Sequence, residues 1–152
     1  AKSVTGTGSK SLSVGSNTIS VKVTAQSGAT KTYKVTVTRK ASSDATLKSL
    51  TLSKGTLSPT FASDVTSYTA TVAYSVTSIT VTPTVNNSEA TYEVSGNKNL
   101  QVGENTVKVV VTAGDGTEKT YTITVTRSQD TDATLKSLSL TNCTLSPTFA
   151  LA

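Results

Sequence analysis

The chain has 152 residues, of which 35% are hydrophobic and 15% charged, and its formal net charge is +5. It contains no His, no Met and a single Cys, which excludes a Ser–His triad, a Cys–His dyad, an internal disulfide and a thiolate zinc site. The sequence contains no run of about 18 apolar residues, so no membrane span is predicted. We therefore expect a folded, non-enzymatic chain without a cofactor, and the missing initiator Met predicts a mature product or a piece of a longer protein.

The sequence repeats itself at an offset of 88 residues. Residues 12–64 align with residues 100–152 without a gap, and 32 of these 53 positions are identical. A period this long exceeds that of solenoid repeats and is typical of small domains in tandem. The sequence thus predicts the C-terminal part of one unit (the first unit, 1–40), a complete unit (the middle unit, 44–127) and the N-terminal part of another (the third segment, 132–152).

In the first unit, residues 17–25 and 31–39 predict a β-hairpin, because apolar side chains recur at every second position. The apolar positions are Ile19, Val21, Val23, Tyr33, Val35 and Val37. The first unit lacks counterparts of residues around 65–90, and a half unit cannot bury its own core. We therefore expect this apolar face to be bare.

The middle unit shows the same period of two along several short runs. The alternating apolar positions are Tyr68, Ala70, Val72, Ile79, Val81, Val107, Val109, Val111, Tyr121, Ile123 and Val125. This pattern predicts about seven half-buried antiparallel strands packed as two sheets, with Val and Ile inward and Thr facing water. Gly114-Asp115-Gly116 predicts a tight hairpin turn rather than a phosphate loop, since no helix follows it.

The blocks DATLKSLTLSKGTLSPTF, DVTSYTATV and VGENTVKVVVTAGDGTEKTYTITVTR occur in this order within the middle unit. In order and spacing they resemble the cadherin-like β-sandwich repeat of bacterial surface and secreted proteins. The resemblance implies an all-β fold of tandem Ig-like or cadherin-like sandwich domains, an extracellular or cell-surface location and no catalytic residue. The third segment departs from the middle unit where Cys143 replaces Gly55 and where Leu151-Ala152 replaces Ser63-Asp64.

Our leading hypothesis is a structural spacer module, in which tandem units form a rod or a fibre shaft. The rival is an adhesion module that binds carbohydrate or cell-wall polymer, with Tyr74 and Tyr92 in loops at one end of the sandwich. A decoration domain of a phage particle is a third possibility. The Lys residues are spread along the chain, which favours a solvated surface over a nucleic-acid site and leaves weak attraction to a wall polymer open.

Other candidate sites have simpler interpretations. Asp44, Asp130 and Asp132 supply too few carboxylates for calcium at the linkers, and we interpret Asp44 and Asp132 as turn or capping residues that start strands. Cys143, in a predicted loop, is interpreted as a small buried apolar residue rather than as a reactive thiol or one half of an intermolecular disulfide. A Lys–Asn isopeptide bond assisted by Glu93 or Glu104 stays open, since pairing cannot be assigned from sequence.

The third segment is expected to offer an opening strand with exposed apolar side chains: Leu135, Leu138, Leu140, Leu145 and Phe149. We favour the interpretation that these residues are one part of a longer tandem array of such units. The alternative is that this segment covers the bare face of the first unit in another copy, head to tail, by strand sharing.

Overall fold

The computed structural model describes residues 1–144, 146 and 147, which form nine β-strands and no helix, so none of these residues lies in a helix that could span a membrane. The strands are β1 (Ser3–Thr5), β2 (Gly15–Thr24), β3 (Thr30–Arg39), β4 (Leu47–Leu52), β5 (Ser67–Val72), β6 (Val81–Val85), β7 (Thr91–Ser95), β8 (Gly103–Thr112) and β9 (Glu118–Arg127). They form three sheets, ordered β1-β2-β3, β4-β6 and β5-β9-β8-β7. The predicted all-β class is confirmed.

The middle unit is a β-sandwich whose two sheets, β4-β6 and β5-β9-β8-β7, enclose a single apolar core. Every buried hydrophobic residue of the described chain lies between Ala45 and Val125. The fully buried side chains are Leu47, Leu100, Val107, Val109, Val111, Tyr121, Ile123 and Val125. The predicted inward positions of β5, β8 and β9 are all buried. The prediction of which side chains of these strands face the core is therefore confirmed.

Two details of the middle unit differ from expectation. It contains six strands rather than about seven, since the LSPTF block contributes only an isolated bridge between Ser58 and Thr69. The strand β5 pairs with β9 in parallel, with Tyr68 opposite Ile123, whereas every other pair of described strands is antiparallel. Residues 53–66 carry the chain from the sheet that contains β4 to the sheet that contains β5. This long connection between the two sheets, rather than a tight hairpin turn, sets the direction of β5.

The first unit repeats half of this sandwich. The strands β2 and β3 pair in the same register as β8 and β9, with Gly15 opposite Arg39 just as Gly103 is opposite Arg127. Strand β1 pairs with β2 at the positions where β7 pairs with β8. No second sheet covers these three strands among the described residues, and none of their side chains is buried.

The expected opening strand of the third segment is not formed in its described part. Residues 132–144 contain no strand. In the middle unit, β4 takes its only strand partner from β6, and the third segment contains no counterpart of β6. The prediction was wrong because a strand needs a partner for its backbone N–H and C=O groups, however well its side chains alternate.

Candidate interaction surfaces

The first candidate surface is the apolar side of the first unit, which we call the open face. It consists of Val4, Ile19, Val21, Val23, Tyr33, Val35 and Val37. Val35 is 56% exposed, whereas its counterpart Ile123 is fully buried. Tyr33 is 51% exposed and its counterpart Tyr121 is fully buried. The open face thus presents to solvent the side chains that form the core of the middle unit.

The second candidate surface is the leucine segment, residues 132–140. Leu135, Leu138 and Leu140 are about half exposed, at 58%, 46% and 54%. Their counterparts in the middle unit are Leu47 and Leu50, which are buried, and Leu52, which is partly buried. Leu145 and Phe149, the remaining residues predicted for strand sharing, lie outside the described residues.

The middle unit shows how these two kinds of surface fit together when both are present. The backbone N–H of Leu47 donates to the hydroxyl of Tyr121 at 3.1 Å, and that hydroxyl donates to the carbonyl of Ser63 at 2.8 Å. The ammonium group of Lys119 lies 5.3 Å from the ring centroid of Tyr121 and donates to the same carbonyl at 2.8 Å. The strand β4 and the connection after it are therefore fixed to β9 by polar contacts as well as by the core.

The open face already has part of this geometry. The ammonium group of Lys31 lies 5.2 Å from the ring centroid of Tyr33, which matches the Lys119–Tyr121 distance. Among the described residues, no hydrogen bond reaches the Tyr33 hydroxyl. The Tyr33 side chain is thus placed as in a complete sandwich, without the strand that Tyr121 contacts.

Tyr74 and Tyr92 are both exposed, but the structure does not bring them together. Tyr92 pairs with Val111, near the hairpin turn, whereas the backbone carbonyl of Tyr74 accepts from Arg127, which pairs with Gly103. Gly103 and Val111 lie eight residues apart on β8, which corresponds to about 26 Å. One face of Tyr74 is also occupied by the Arg127 guanidinium, 4.9 Å from its ring centroid. The two Tyr residues therefore lie near opposite ends of the sandwich, with Tyr92 in β7, rather than in loops at one end as predicted.

The linker carboxylates are occupied by protein donors. The Oδ1 atom of Asp44 accepts from the hydroxyl and the backbone N–H of Thr46, and its Oδ2 atom accepts from Asn86 at 2.8 Å. These bonds, that of the Thr46 hydroxyl first, lower the pKa of Asp44 from its ordinary value of 3.8. Asp132 makes the same contacts with Thr134. Both residues cap turns, as predicted, although a strand follows only Asp44.

The remaining sequence candidates have structural roles or none. Gly114-Asp115-Gly116 forms the predicted hairpin turn, in which the backbone N–H of Thr117 donates to the Asp115 carboxylate at 2.9 Å. Cys143 is exposed rather than buried as predicted. In the described part of the chain no Lys is buried and no hydrogen bond joins a Lys to an Asn. No cluster of three or more His, Cys, Asp or Glu residues suited to a metal ion occurs within the same range.

The linker between the first and middle units is docked rather than free. Arg39 forms an ion pair with Glu89 at 2.8 Å, and the other carboxylate oxygen of Glu89 accepts from the backbone N–H of Ser42 at 3.2 Å. The carbonyl of Ser42 in turn accepts from the backbone N–H of Asp115 at 3.0 Å. We call this set of contacts the junction clamp. It holds the linker against the end of the middle unit that carries the hairpin turn.

Residues 1–40 and 47–128 match the family model described as the Cadherin-like beta sandwich domain. The chain belongs to this family. A similar protein from Evansella cellulosilytica, named "Putative membrane protein", is 38% identical over 97 residues. That alignment covers 57% of this chain and only 15% of the relative, so the cadherin-like chain spans a small part of the length of the curated relative it matches.

The excess positive charge of this cadherin-like chain lies entirely in the first unit. Residues 1–40 contain seven basic and no acidic residues, whereas residues 41–127 contain six basic and seven acidic residues. Residues 128–152 contain one basic and two acidic residues. The sequence interpretation of evenly spread Lys residues overlooked this asymmetry, which a count by unit would have found.

Proposed function

We propose that this chain is a non-enzymatic spacer module of a bacterial extracellular or cell-surface protein, in which cadherin-like units follow one another as a rod or fibre shaft. The observation that carries the proposal is the junction clamp. A freely moving linker needs no contacts, whereas Arg39, Ser42 and Glu89 connect the end of one unit to the next. A spacer needs such contacts because its length depends on a fixed spacing of its units.

Two further observations support a structural role. The cadherin-like family is typically non-catalytic, and within the described residues no group of three or more His, Cys, Asp or Glu side chains is placed to hold a metal ion. The name of the Evansella cellulosilytica relative favours a place at the cell surface. The sandwich is also elongated enough to separate its neighbours, since the ten-residue strands β8 and β9 extend for about 30 Å before the loops are added.

Small-angle X-ray scattering tests the spacer role. Proteins that carry one, two and three copies of the middle unit after residues 1–40 should show a maximum dimension that grows by about 35–45 Å with each copy. The matched variant combines Arg39→Ala with Glu89→Ala, which breaks the clamp, and should broaden the distance distribution without shortening the units. A compact particle whose maximum dimension does not grow with copy number would contradict the proposal.

A second candidate function is contact with an anionic wall polymer, and the charge of the first unit favours it. Lys22 and Lys34 lie on the polar face of the β2-β3 hairpin, since Lys34 pairs with Ser20 and Lys22 pairs with Thr32. Two neighbouring cations on an exposed sheet suit a phosphate-rich polymer.

Binding to purified cell walls tests this candidate. Binding should fall with added salt and with Lys22→Ala plus Lys34→Ala, while Lys98→Ala plus Lys108→Ala in the middle unit serves as the control. An equal loss of cell-wall binding in the two double variants, or binding that does not change with salt, would contradict a polymer site on the first unit.

A further inference from the structure

We propose that Gly114 decides whether the middle unit can receive a docked neighbour, because the space beside its backbone holds the linker of a preceding cadherin-like unit. The partner is a β-sandwich unit that ends, like the first unit, in an Arg at the position of Arg39 and continues into a short linker. The inference rests on the proposed spacer role and goes beyond it, since it names the residue that selects which units form a clamped junction.

Strand register places Gly114 opposite Glu89. Thr91 pairs with Thr112 in the antiparallel β7-β8 pair, and Glu89 and Gly114 each lie two residues beyond these partners. A Cβ atom added to Gly114 would lie 3.2 Å from both the Cβ and the Oε2 atoms of Glu89, and 3.6 Å from the backbone nitrogen of Ser42. Carbon atoms pack best at roughly 3.5–4.0 Å, so a side chain at residue 114 would push Glu89 away.

Glu89 cannot move without weakening the junction clamp. Its Oε1 atom accepts from the guanidinium of Arg39 at 2.8 Å, and its Oε2 atom accepts from the backbone N–H of Ser42 at 3.2 Å. The backbone N–H of Glu89 donates to the side chain of Asn87 at 2.8 Å, which fixes the residue in the turn before β7. The bond from Ser42 is already at the long end of the usual range of about 2.7–3.2 Å, so a displacement of a few tenths of an ångström would weaken it.

The linker runs between Glu89 and the hairpin turn. The N–H of Ser42 donates to Glu89, and the carbonyl of Ser42 accepts from the backbone N–H of Asp115 at 3.0 Å. Two separate segments of the middle unit thus satisfy both backbone polar groups of Ser42. Because Gly114 lies between these two contacts, a side chain there would stand where the linker is seated.

The hairpin turn itself does not require a glycine at residue 114. Gly116 has a φ of +90°, which favours glycine, whereas Gly114 does not have a positive φ. The first unit provides the comparison, since its turn has Gln26 at the position of Gly114 and Gly28, with a φ of +87°, at the position of Gly116. Both turns close with the same two backbone hydrogen bonds, of 2.8 and 3.0 Å.

The two glycines of the turn therefore have different roles: Gly116 permits the turn, and Gly114 permits the junction. Glycine loses more conformational entropy on folding than any other residue, so a glycine that the turn does not need is explained by the contact it allows. A unit with the turn of the first unit, which carries Gln26, would not accept a linker in this way. One turn residue thus separates units that form a clamped junction from units that do not.

Amide hydrogen exchange of the full chain, followed by NMR, tests the proposal through the N–H of Ser42. This amide should be protected in the wild type. Gly114→Gln, which introduces the residue of the first unit, should lower its protection factor roughly 2- to 10-fold, as expected for the loss of one hydrogen bond. Gly114→Ala should have a smaller effect in the same direction. Neither variant should change the midpoint of thermal unfolding of the middle unit.

Gly116→Ala is the matched control in the same turn. In the described chain, apart from the sequence neighbours of Gly116, no atom lies within 4 Å of a Cβ added there, so the substitution strains the backbone without touching the linker. It should lower the unfolding midpoint and leave the protection of Ser42 unchanged. A second control uses Glu89→Ala, which removes the acceptor of the Ser42 N–H. In that background, Gly114→Ala should lower the protection of Ser42 no further.

An unprotected Ser42 amide in the wild type would show that the clamp does not form, and would overturn the support for the spacer role together with this inference. With a protected wild type, three results would overturn the role of Gly114 alone. These are retained protection in Gly114→Gln, an equal loss of Ser42 protection in Gly116→Ala, and a further loss when Gly114→Ala is added to Glu89→Ala. A fall in the unfolding midpoint of Gly114→Gln as large as that of Gly116→Ala would also overturn it, because Gly114 would then serve the turn.

Discussion

The backbone N–H of Leu47, in the two-stranded sheet, donates at 3.1 Å to the hydroxyl of Tyr121, in the four-stranded sheet. Both residues are fully buried. Because the same hydroxyl donates to the carbonyl of Ser63 at 2.8 Å, one side chain connects β4, β9 and the connection after β4. The two layers of the sandwich are therefore joined by a directional contact within the apolar core.

Replacing Tyr121 with Phe should destabilise the middle unit by about 1–3 kcal/mol, because the buried N–H of Leu47 loses its acceptor. The matched control is Tyr33→Phe, whose hydroxyl lies on the open face, and it should change the free energy of unfolding of the dilute chain by less than about 0.5 kcal/mol. Urea unfolding measures both values. Equal effects would mean that the contact between the sheets contributes nothing to stability.

Replacing Ile123 with Ala should cost about 2–5 kcal/mol, since the side chain is fully buried and leaves a cavity. Thr124→Ala, on the opposite face of β9, should cost less than about 1 kcal/mol. The more demanding control is Val35→Ala, at the equivalent position of the open face, for which we expect almost no loss in a dilute solution. A large loss for Val35→Ala at low concentration would show that the open face is already covered within one molecule.

The pKa of Asp44 should respond to Asn86, which donates to it at 2.8 Å. Asn86→Ala should raise the pKa of Asp44 while leaving it below 3.8, because the bonds from Thr46 remain. Asp132 is the internal control, since the Thr134 hydroxyl lowers its pKa in the same way without an Asn partner. Carboxyl NMR titration measures both residues, and an unchanged Asp44 would contradict the contact with Asn86.

The same shift predicts how acid affects the fold. Since the pKa of folded Asp44 lies below its unfolded value, its contribution to stability is present above the unfolded pKa and is lost as the pH falls through the folded pKa. Asp44→Asn should therefore flatten the acid side of the stability profile. Asp132→Asn should leave that profile unchanged, because residues 132–144 form no strand. This expectation would be contradicted if the stability of Asp44→Asn fell as steeply with decreasing pH as that of the wild type.

Loss of the Arg39–Glu89 ion pair should loosen the junction without destabilising the middle unit. The pair is partly exposed, so it contributes no more than about 1 kcal/mol. In Glu89→Gln, NMR relaxation should show the first and middle units reorienting more independently, while the unfolding midpoint stays the same. Glu104→Gln, at an exposed position on β8, is the control. If the two units reoriented equally independently in this variant, the junction clamp would not set their relative orientation.

The sequence predicted those parts of the structure that depend on side-chain alternation. The inward rows of β5, β8 and β9 and the turn at Asp115 follow from local patterns and turn chemistry. The parallel direction of β5 could not be predicted, since it depends on how residues 53–66 cross between the sheets. The separation of Tyr74 from Tyr92 also depends on this three-dimensional path, because strand register rather than sequence distance decides which end of the sandwich a residue occupies.

The parallel pair of β5 and β9 has a mechanical consequence. The chain enters the middle unit at the hairpin-turn end and leaves it from the opposite end of β9, so tension applied to the two ends of this unit would pull β9 lengthwise past both of its neighbours, β5 and β8. Six residue pairs, from Ser67 opposite Thr122 to Val72 opposite Arg127, are then strained in shear together rather than opened one at a time. A strand order adopted to enclose a core thereby also resists stretching of the chain.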